Sequence, residues 1–99
     1  MTTHEAVELQ LYIENIQAYI TPATIFLQKK WKKGIFDYGE ALKYLARYVC
    51  VPAAKAYHLE HGSSFSTRWH TVFTPSVRQE TAELILERIV GEFKLGNFW

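Results

Sequence analysis

Apolar residues in the first part of the chain recur with the spacing of an α-helix. Thr2 and Glu5 precede them at the spacing of a capping box, in which a hydroxyl and a carboxylate bond the free amides of the first turn. The Thr-Pro pair at 21–22 predicts that this helix ends at residue 20 and that a second begins with Thr21 as its cap and Pro22 at its first position. The apolar stripe of the first helix comprises Leu9, Tyr12, Ile13, Ile16, Tyr19 and Ile20.

The second predicted helix runs from Pro22 to about Lys33. Its inward face is expected to hold Ile25, Phe26 and Trp31. Gly34 follows its last turn and suits the left-handed backbone that ends many helices.

A third, longer helix is predicted over residues 38–61. Asp37 is its expected cap, and Gly62 closes it. Pro52 falls inside the apolar pattern, where it removes the hydrogen bond to the Tyr48 carbonyl and is expected to kink the helix. A break into two helices is the alternative, although Cys50 and Val51 are poor caps. The inward face comprises Ala41, Leu45, Tyr48, Val49, Ala53, Ala56 and Tyr57.

The last third of the chain predicts a loop, a short turn and a final helix. Residues 63–67 are rich in serine, and residues 68–73 can form one turn that packs Trp69, Val72 and Phe73. Thr74 caps the last helix, which ends at Gly96. Its inward face comprises Val77, Ala82, Ile85, Leu86, Ile89 and Phe93. No segment alternates as a strand does, so we predict an all-α fold, a compact bundle of about four helices in one domain over residues 1–99.

Composition narrows the class of protein. Hydrophobic residues make up 48% and aromatic residues 15% of the 99 residues, as in a folded chain. The lone Cys50 excludes an internal disulfide and indicates a reducing compartment. The N-terminal residues lack the pattern of a signal peptide, and no apolar stretch approaches the roughly 20 residues of a membrane span. We therefore expect a soluble, cytoplasmic protein.

The net charge of +1 conceals a basic middle between two acidic ends. Residues 29–78 carry nine lysines and arginines against three acidic residues, whereas residues 1–28 carry three glutamates and no basic residue. Such a distribution either neutralises itself internally or presents a basic face to a partner.

Three of the four histidines, His58, His61 and His70, lie close together in the sequence. Two helical histidines one turn apart can bind a metal, but the H-E-x-x-H pattern is absent and Cys50 offers only one thiolate. A histidine at a helix end, such as His61 before Gly62, can instead bond the last carbonyls. We expect no metal and no other cofactor.

Candidate nucleophiles are weak. Ser63, Ser64 and Ser66 lie near the histidines, but no G-x-S-x-G elbow surrounds them and Asp37 is already assigned as a cap. Cys50 has apolar neighbours and resembles a small core residue. We expect no catalytic residue, and hence no enzyme.

The most distinctive surface segment is the run "KKWKK", which comprises Lys29, Lys30, Trp31, Lys32 and Lys33. Four ammonium groups beside an indole can bind phosphates and stack a base. Alternatively, Trp31 packs into the core and the lysines form a solvated helix end, where cations are favourable.

Several further residues are candidates for partner binding. Lys43, Arg47, Lys55 and Arg68 would extend the basic surface if the helices pack to bring them together. Phe98 and Trp99, at the end of the sequence, would anchor a partner if exposed, although we favour their packing on the core.

Residues 40–93 resemble small, uncharacterised proteins encoded by tailed bacteriophages and related mobile elements. The segments that carry the likeness are "AAKAY", "EHG", the tryptophan before "VF" and "VRQETA". Pro52 departs from that pattern. The resemblance implies a phage accessory protein that acts inside a bacterial cell, and it implies no catalytic residue.

Three functional hypotheses follow. The first is a small helical protein that binds a bacterial host protein or protein complex, for example to inhibit a defence system as anti-CRISPR proteins do. The second is a nucleic-acid-binding accessory protein that uses Lys29 to Lys33. The third is a structural or homo-oligomeric phage component.

Overall fold

The computed structural model of the chain describes residues 3–61 and 68–96. These residues form helices and connecting turns, and none of them lies in a strand, which confirms the predicted all-α class. A π-helical turn, Leu45–Val49, joins α3 to α4 in one continuous helical run. The helices are α1 (His4–Glu14), α2 (Gln17–Lys32), α3 (Tyr38–Tyr44), α4 (Cys50–His61), α5 (Trp69–Val72) and α6 (Pro75–Lys94).

The predicted boundary between the first two helices was wrong. The chain turns at Asn15 and at Ile16, whose backbone is extended, and Pro22 lies inside α2. The apolar pattern conceals this turn because α1 and α2 direct their apolar residues toward one core. The predicted cap Thr2 lies outside the described residues, and Thr3 caps α1 by accepting from the amide of Ala6 at 3.3 Å.

Four other helix ends were predicted correctly. Gly34 and Gly96 adopt φ angles of +73° and +74° after α2 and α6. The side chain of Asp37 accepts from the amide of Glu40 at 2.9 Å to cap α3, and Thr74 caps α6. Each of these helix ends depends on contacts within a few residues, which explains why the local sequence predicts them.

The helical run over residues 38–61 is continuous through Pro52, as predicted. Its π turn bonds the amide of Cys50 to the carbonyl of Leu45, so it holds one residue more than an α turn. The core residues Ala41, Leu45, Val49 and Ala53 accordingly repeat at intervals of four. A kink at Pro52 stays a prediction, and Gly62 lies outside the described residues.

Most residues predicted to face inward do so, but three residues of α2 and the π turn do not. Ile25 is 45%, Phe26 39% and Tyr48 62% exposed, although all three were expected inside. The extra residue of the π turn leaves Tyr48 outside while Leu45 and Val49 keep to the core. The largest fully buried side chains include Phe73, Leu9, Ile13, Leu27, Leu45, Ile85 and Leu86.

Helix α1 packs most extensively on α6, and hydrogen bonds join the two helices at both ends. The amide of Thr3 donates to Glu80 at 2.6 Å, and Arg88 donates to Glu14 at 2.9 Å. On its other flank, α1 contacts α4 through the hydroxyl of Tyr57, which donates to Glu8 at 3.1 Å. These contacts cover Leu9 and Ile13, which are both fully buried.

Candidate functional site: an aromatic row beside a basic groove

Three aromatic rings, one from α2 and two from the helical run 38–61, form a continuous row on the surface. The ring of Phe26, on α2, stacks on that of Tyr44, on α3, with centroids 4.5 Å apart and planes at 24°. The ring of Tyr48, in the π turn, follows at 5.5 Å from Tyr44. Phe26 and Tyr48 are exposed and Tyr44 is half-buried. We call these three residues the aromatic row.

A cation lies against each end of the aromatic row. The Lys30 ammonium is 4.9 Å from the Phe26 centroid, and the Arg47 guanidinium carbon is 5.7 Å from the Tyr48 centroid. Both distances lie within the range of cation–π contact. Lys30 is also 3.9 Å from the exposed carboxylate of Glu40, so the Arg47 end carries the stronger uncompensated positive charge.

Arg47 also lines an open groove of about 420 Å³ between the helical run 38–61 and the start of α6. Its cationic residues are Lys43, Arg47 and Arg78, and no acidic residue of the described chain lines it. Its apolar residues are Ala46, Val51 and Pro75. We call this feature the basic groove. Because Arg47 lines the basic groove and also contacts the Tyr48 ring, the basic groove and the aromatic row form one surface.

Helix α5 holds Arg78 in position. The Arg78 guanidinium carbon is 5.1 Å from the Trp69 ring centroid, and the Lys55 ammonium is 5.3 Å from the same ring. The Nε atom of Arg78 is buried and finds no hydrogen-bond acceptor among the described residues. Sequence reasoning did not select Arg78, since only tertiary packing brings α6 beside Lys43 and Arg47.

The lysine run at the end of α2 forms a solvated helix end around an inward tryptophan. Lys29, Lys32 and Lys33 are exposed, and Lys30 is half-buried. Trp31 packs on the core, with its ring centroid 5.3 Å from that of Phe93. Trp31 therefore follows the packed alternative rather than the base-stacking one, and the exposed stacking surface lies in the aromatic row.

The other candidate residues are dispersed. Arg68 is exposed at the start of α5, where its carbonyl accepts from the Thr71 hydroxyl at 2.7 Å. Arg47 lines the basic groove and contacts the Tyr48 ring, as described above. Phe98 and Trp99 lie outside the described residues.

His61, the last residue of α4, contacts an aromatic and an acidic neighbour. The His61 ring lies 4.5 Å from that of Tyr57, and its Nε2 is 3.7 Å from a Glu60 oxygen. His70 is exposed beside Trp69. Within residues 3–61 and 68–96, no group of three or more His, Cys, Asp or Glu side chains could hold a metal ion.

Cys50 is fully buried, as its apolar neighbours predicted. Burial raises the pKa of its thiol to about 12, because the apolar surroundings disfavour the thiolate. The thiol is therefore protonated at neutral pH and lacks the thiolate that a cysteine nucleophile needs.

Comparisons of the chain with protein-family models, with curated proteins and with solved structures find no match. Among the described helices, none combines the length and the apolar character required to cross a membrane.

Proposed function

We propose that the protein is a non-enzymatic binding module for single-stranded nucleic acid, with bases stacking on the aromatic row. The observation that carries the proposal is the row itself, in which exposed rings stand between two cations. Proteins that bind single strands without reading their sequence combine the same two elements, a stacking platform and positive charge along the backbone.

Tyr48 is the expected principal stacking residue. At 62% exposure it offers the largest free ring surface of the row, and the adjacent Arg47 can bind the phosphate of a stacked nucleotide. Alanine substitution of a stacking aromatic costs about 1–3 kcal/mol for each base. Every base has an aromatic face, so we expect little sequence preference.

An acidic surface of a bacterial host protein is the second candidate partner. Tyrosine and arginine are also the residues that contribute most energy at protein interfaces, and Tyr48 and Arg47 lie side by side on the surface. The resemblance to phage accessory proteins supports a setting in the bacterial cytoplasm for either partner. Inhibition of a host defence complex is the form of this second proposal that the resemblance favours.

The proposal is tested by fluorescence anisotropy with a labelled oligothymidylate of about 15 nucleotides, a length that one small module can cover. We expect Tyr48→Ala to weaken binding by about 5- to 150-fold. The matched control is Tyr38→Ala, since Tyr38 is 45% exposed on the same helical run but faces Glu83 and Glu87. We expect the control to bind as wild type does.

Equal binding by the two variants would refute the proposal, as would the absence of binding at micromolar protein in low salt. A pull-down from bacterial lysate, with and without nuclease, separates the two partner classes. A host protein retained after nuclease treatment favours the protein partner. Light scattering of the purified chain tests the remaining hypothesis of a homo-oligomeric phage component.

A further inference from the structure

We infer that the basic groove is a phosphate-binding site, formed by Lys43, Arg47 and Arg78. The inference deepens the proposed function and rests on it for the origin of the phosphate, which would belong to the strand that stacks on the aromatic row.

The positive charge of the basic groove is uncompensated. Lys43 and Arg47 are four residues apart on one helix face, and Arg78 approaches them from α6. None of the three forms an ion pair with a carboxylate of the described chain. Three like charges around one groove repel each other, and a bound anion removes that repulsion.

Arg78 has unused hydrogen-bonding capacity. A buried N–H group without an acceptor is unfavourable, and the Nε of Arg78 is in that state among the described residues. Its contact with Trp69 limits the freedom of the guanidinium, which reduces the entropy lost when a ligand binds. A small rotation toward the groove would let two N–H groups bind one phosphate together.

The shape of the basic groove suits a phosphate with its attached sugar. The groove volume of about 420 Å³ exceeds that of one phosphate, and the apolar surfaces of Val51 and Pro75 can contact the attached sugar. Arg47 lies between the groove and Tyr48, so a strand could place a base on the row and an adjacent phosphate in the groove. A tetrahedral phosphate accepts from several directions, which suits three cations on two elements better than a planar carboxylate would.

The test follows the arginine Nε–H resonances of ¹⁵N-labelled protein by NMR. Sodium phosphate and pyrophosphate are titrated at constant ionic strength, which is maintained with sodium chloride. We expect the Arg78 Nε–H signal to shift saturably, because phosphate becomes its acceptor. Arg88 is the internal control, since its Nη1 already donates to Glu14 at 2.9 Å and it does not line the basic groove.

The matched variant is Arg78→Lys, which keeps the charge and removes the planar pair of donors. We expect it to bind phosphate about fivefold more weakly or worse, followed through the Trp69 indole signal. No saturable shift at Arg78, or an equal shift at Arg88, would overturn the inference. An equal response to sodium glutamate would also overturn it, and would favour an acidic protein as the partner.

Two further arms separate this inference from the proposed function and identify the source of the phosphate. In one outcome, phosphate shifts the Arg78 signal, but oligothymidylate binds Tyr48→Ala and Tyr38→Ala equally. That result would support the phosphate site in the groove and refute base stacking. In the other outcome, oligothymidylate binds through Tyr48 but does not shift the Arg78 signal. That result would support base stacking and refute the phosphate site in the groove. A methylphosphonate oligonucleotide, whose backbone is uncharged, should leave Arg78 unshifted, and a shift with it would contradict the phosphate assignment.

Discussion

Pro22 lies in the interior of α2, where it is expected to destabilise the protein. It has no N–H to donate to the carbonyl of Ala18 four residues earlier, and its ring crowds that carbonyl. Both residues are exposed, so Pro22 contributes little packing in return. We therefore predict that Pro22→Ala stabilises the fold.

The expected gain is about 1–2 kcal/mol. Proline costs about 3 kcal/mol relative to alanine inside a helix. Two effects reduce that figure. Water can bond the exposed Ala18 carbonyl in the wild type, and proline restricts the unfolded chain, an advantage of about 0.4–1 kcal/mol that alanine lacks. In a domain of this size, the remaining gain corresponds to a rise of about 5–15 °C in Tm.

Urea denaturation and thermal melting followed by far-UV circular dichroism measure the change. Pro75→Ala is the matched control, because Pro75 is the first residue of α6, where a missing N–H costs nothing. We expect the control to be unchanged or less stable by up to about 1 kcal/mol. An unchanged or lower Tm for Pro22→Ala, or an equal rise in both variants, would refute the reasoning.

Three further predictions concern the core, a helix cap and the buried thiol. Leu86→Ala should cost about 3–5 kcal/mol of unfolding free energy, because Leu86 is fully buried, whereas Leu59→Ala, at a residue 85% exposed, should leave it nearly unchanged. Asp37→Ala should lower the stability by about 1 kcal/mol in the same urea titration, through the lost cap of α3. Cys50 should react with a thiol reagent at neutral pH only as the chain unfolds. The pKa of Cys50 is about 12 in the folded protein, against an ordinary value of 9.0. Its contribution to stability should therefore be full below pH 9 and fall as the pH rises toward 12. A native Cys50 that reacts at the rate of a free thiol would contradict its burial.

The helix ends show what local sequence can predict. Asp37 and Thr74 act as caps because their side chains reach amides three residues ahead, and that geometry is independent of the rest of the fold. Pro22 misled the same reasoning, since a proline suits the first turn of a helix but can also lie inside one when the packing of the other helix residues compensates. The actual turn occurs at Asn15 and Ile16. Asn15 is a residue type that often follows a helix, whereas Ile16 has no side chain that could cap α2.

The candidate site was predictable in part. Lys43 with Arg47, and Tyr44 with Tyr48, are two pairs spaced four residues apart and offset by one, which predicts adjacent basic and aromatic stripes on one helix. The assignment of Tyr48 to the core concealed that pattern. Arg78 and Phe26 come from other helices, so only their tertiary packing shows that they complete the surface.

The bonds between α1 and α6 constrain how the chain can mature during synthesis. Thr3 with Glu80, Ala6 with Thr81 and Glu14 with Arg88 pair residues 77, 75 and 74 positions apart. A ribosome must therefore release most of α6 before α1 gains its partner, and until then Leu9 and Ile13 lack their main cover. Until α6 has emerged, α1 is an apolar helix available to chaperones, and the fold closes only in a long-range step.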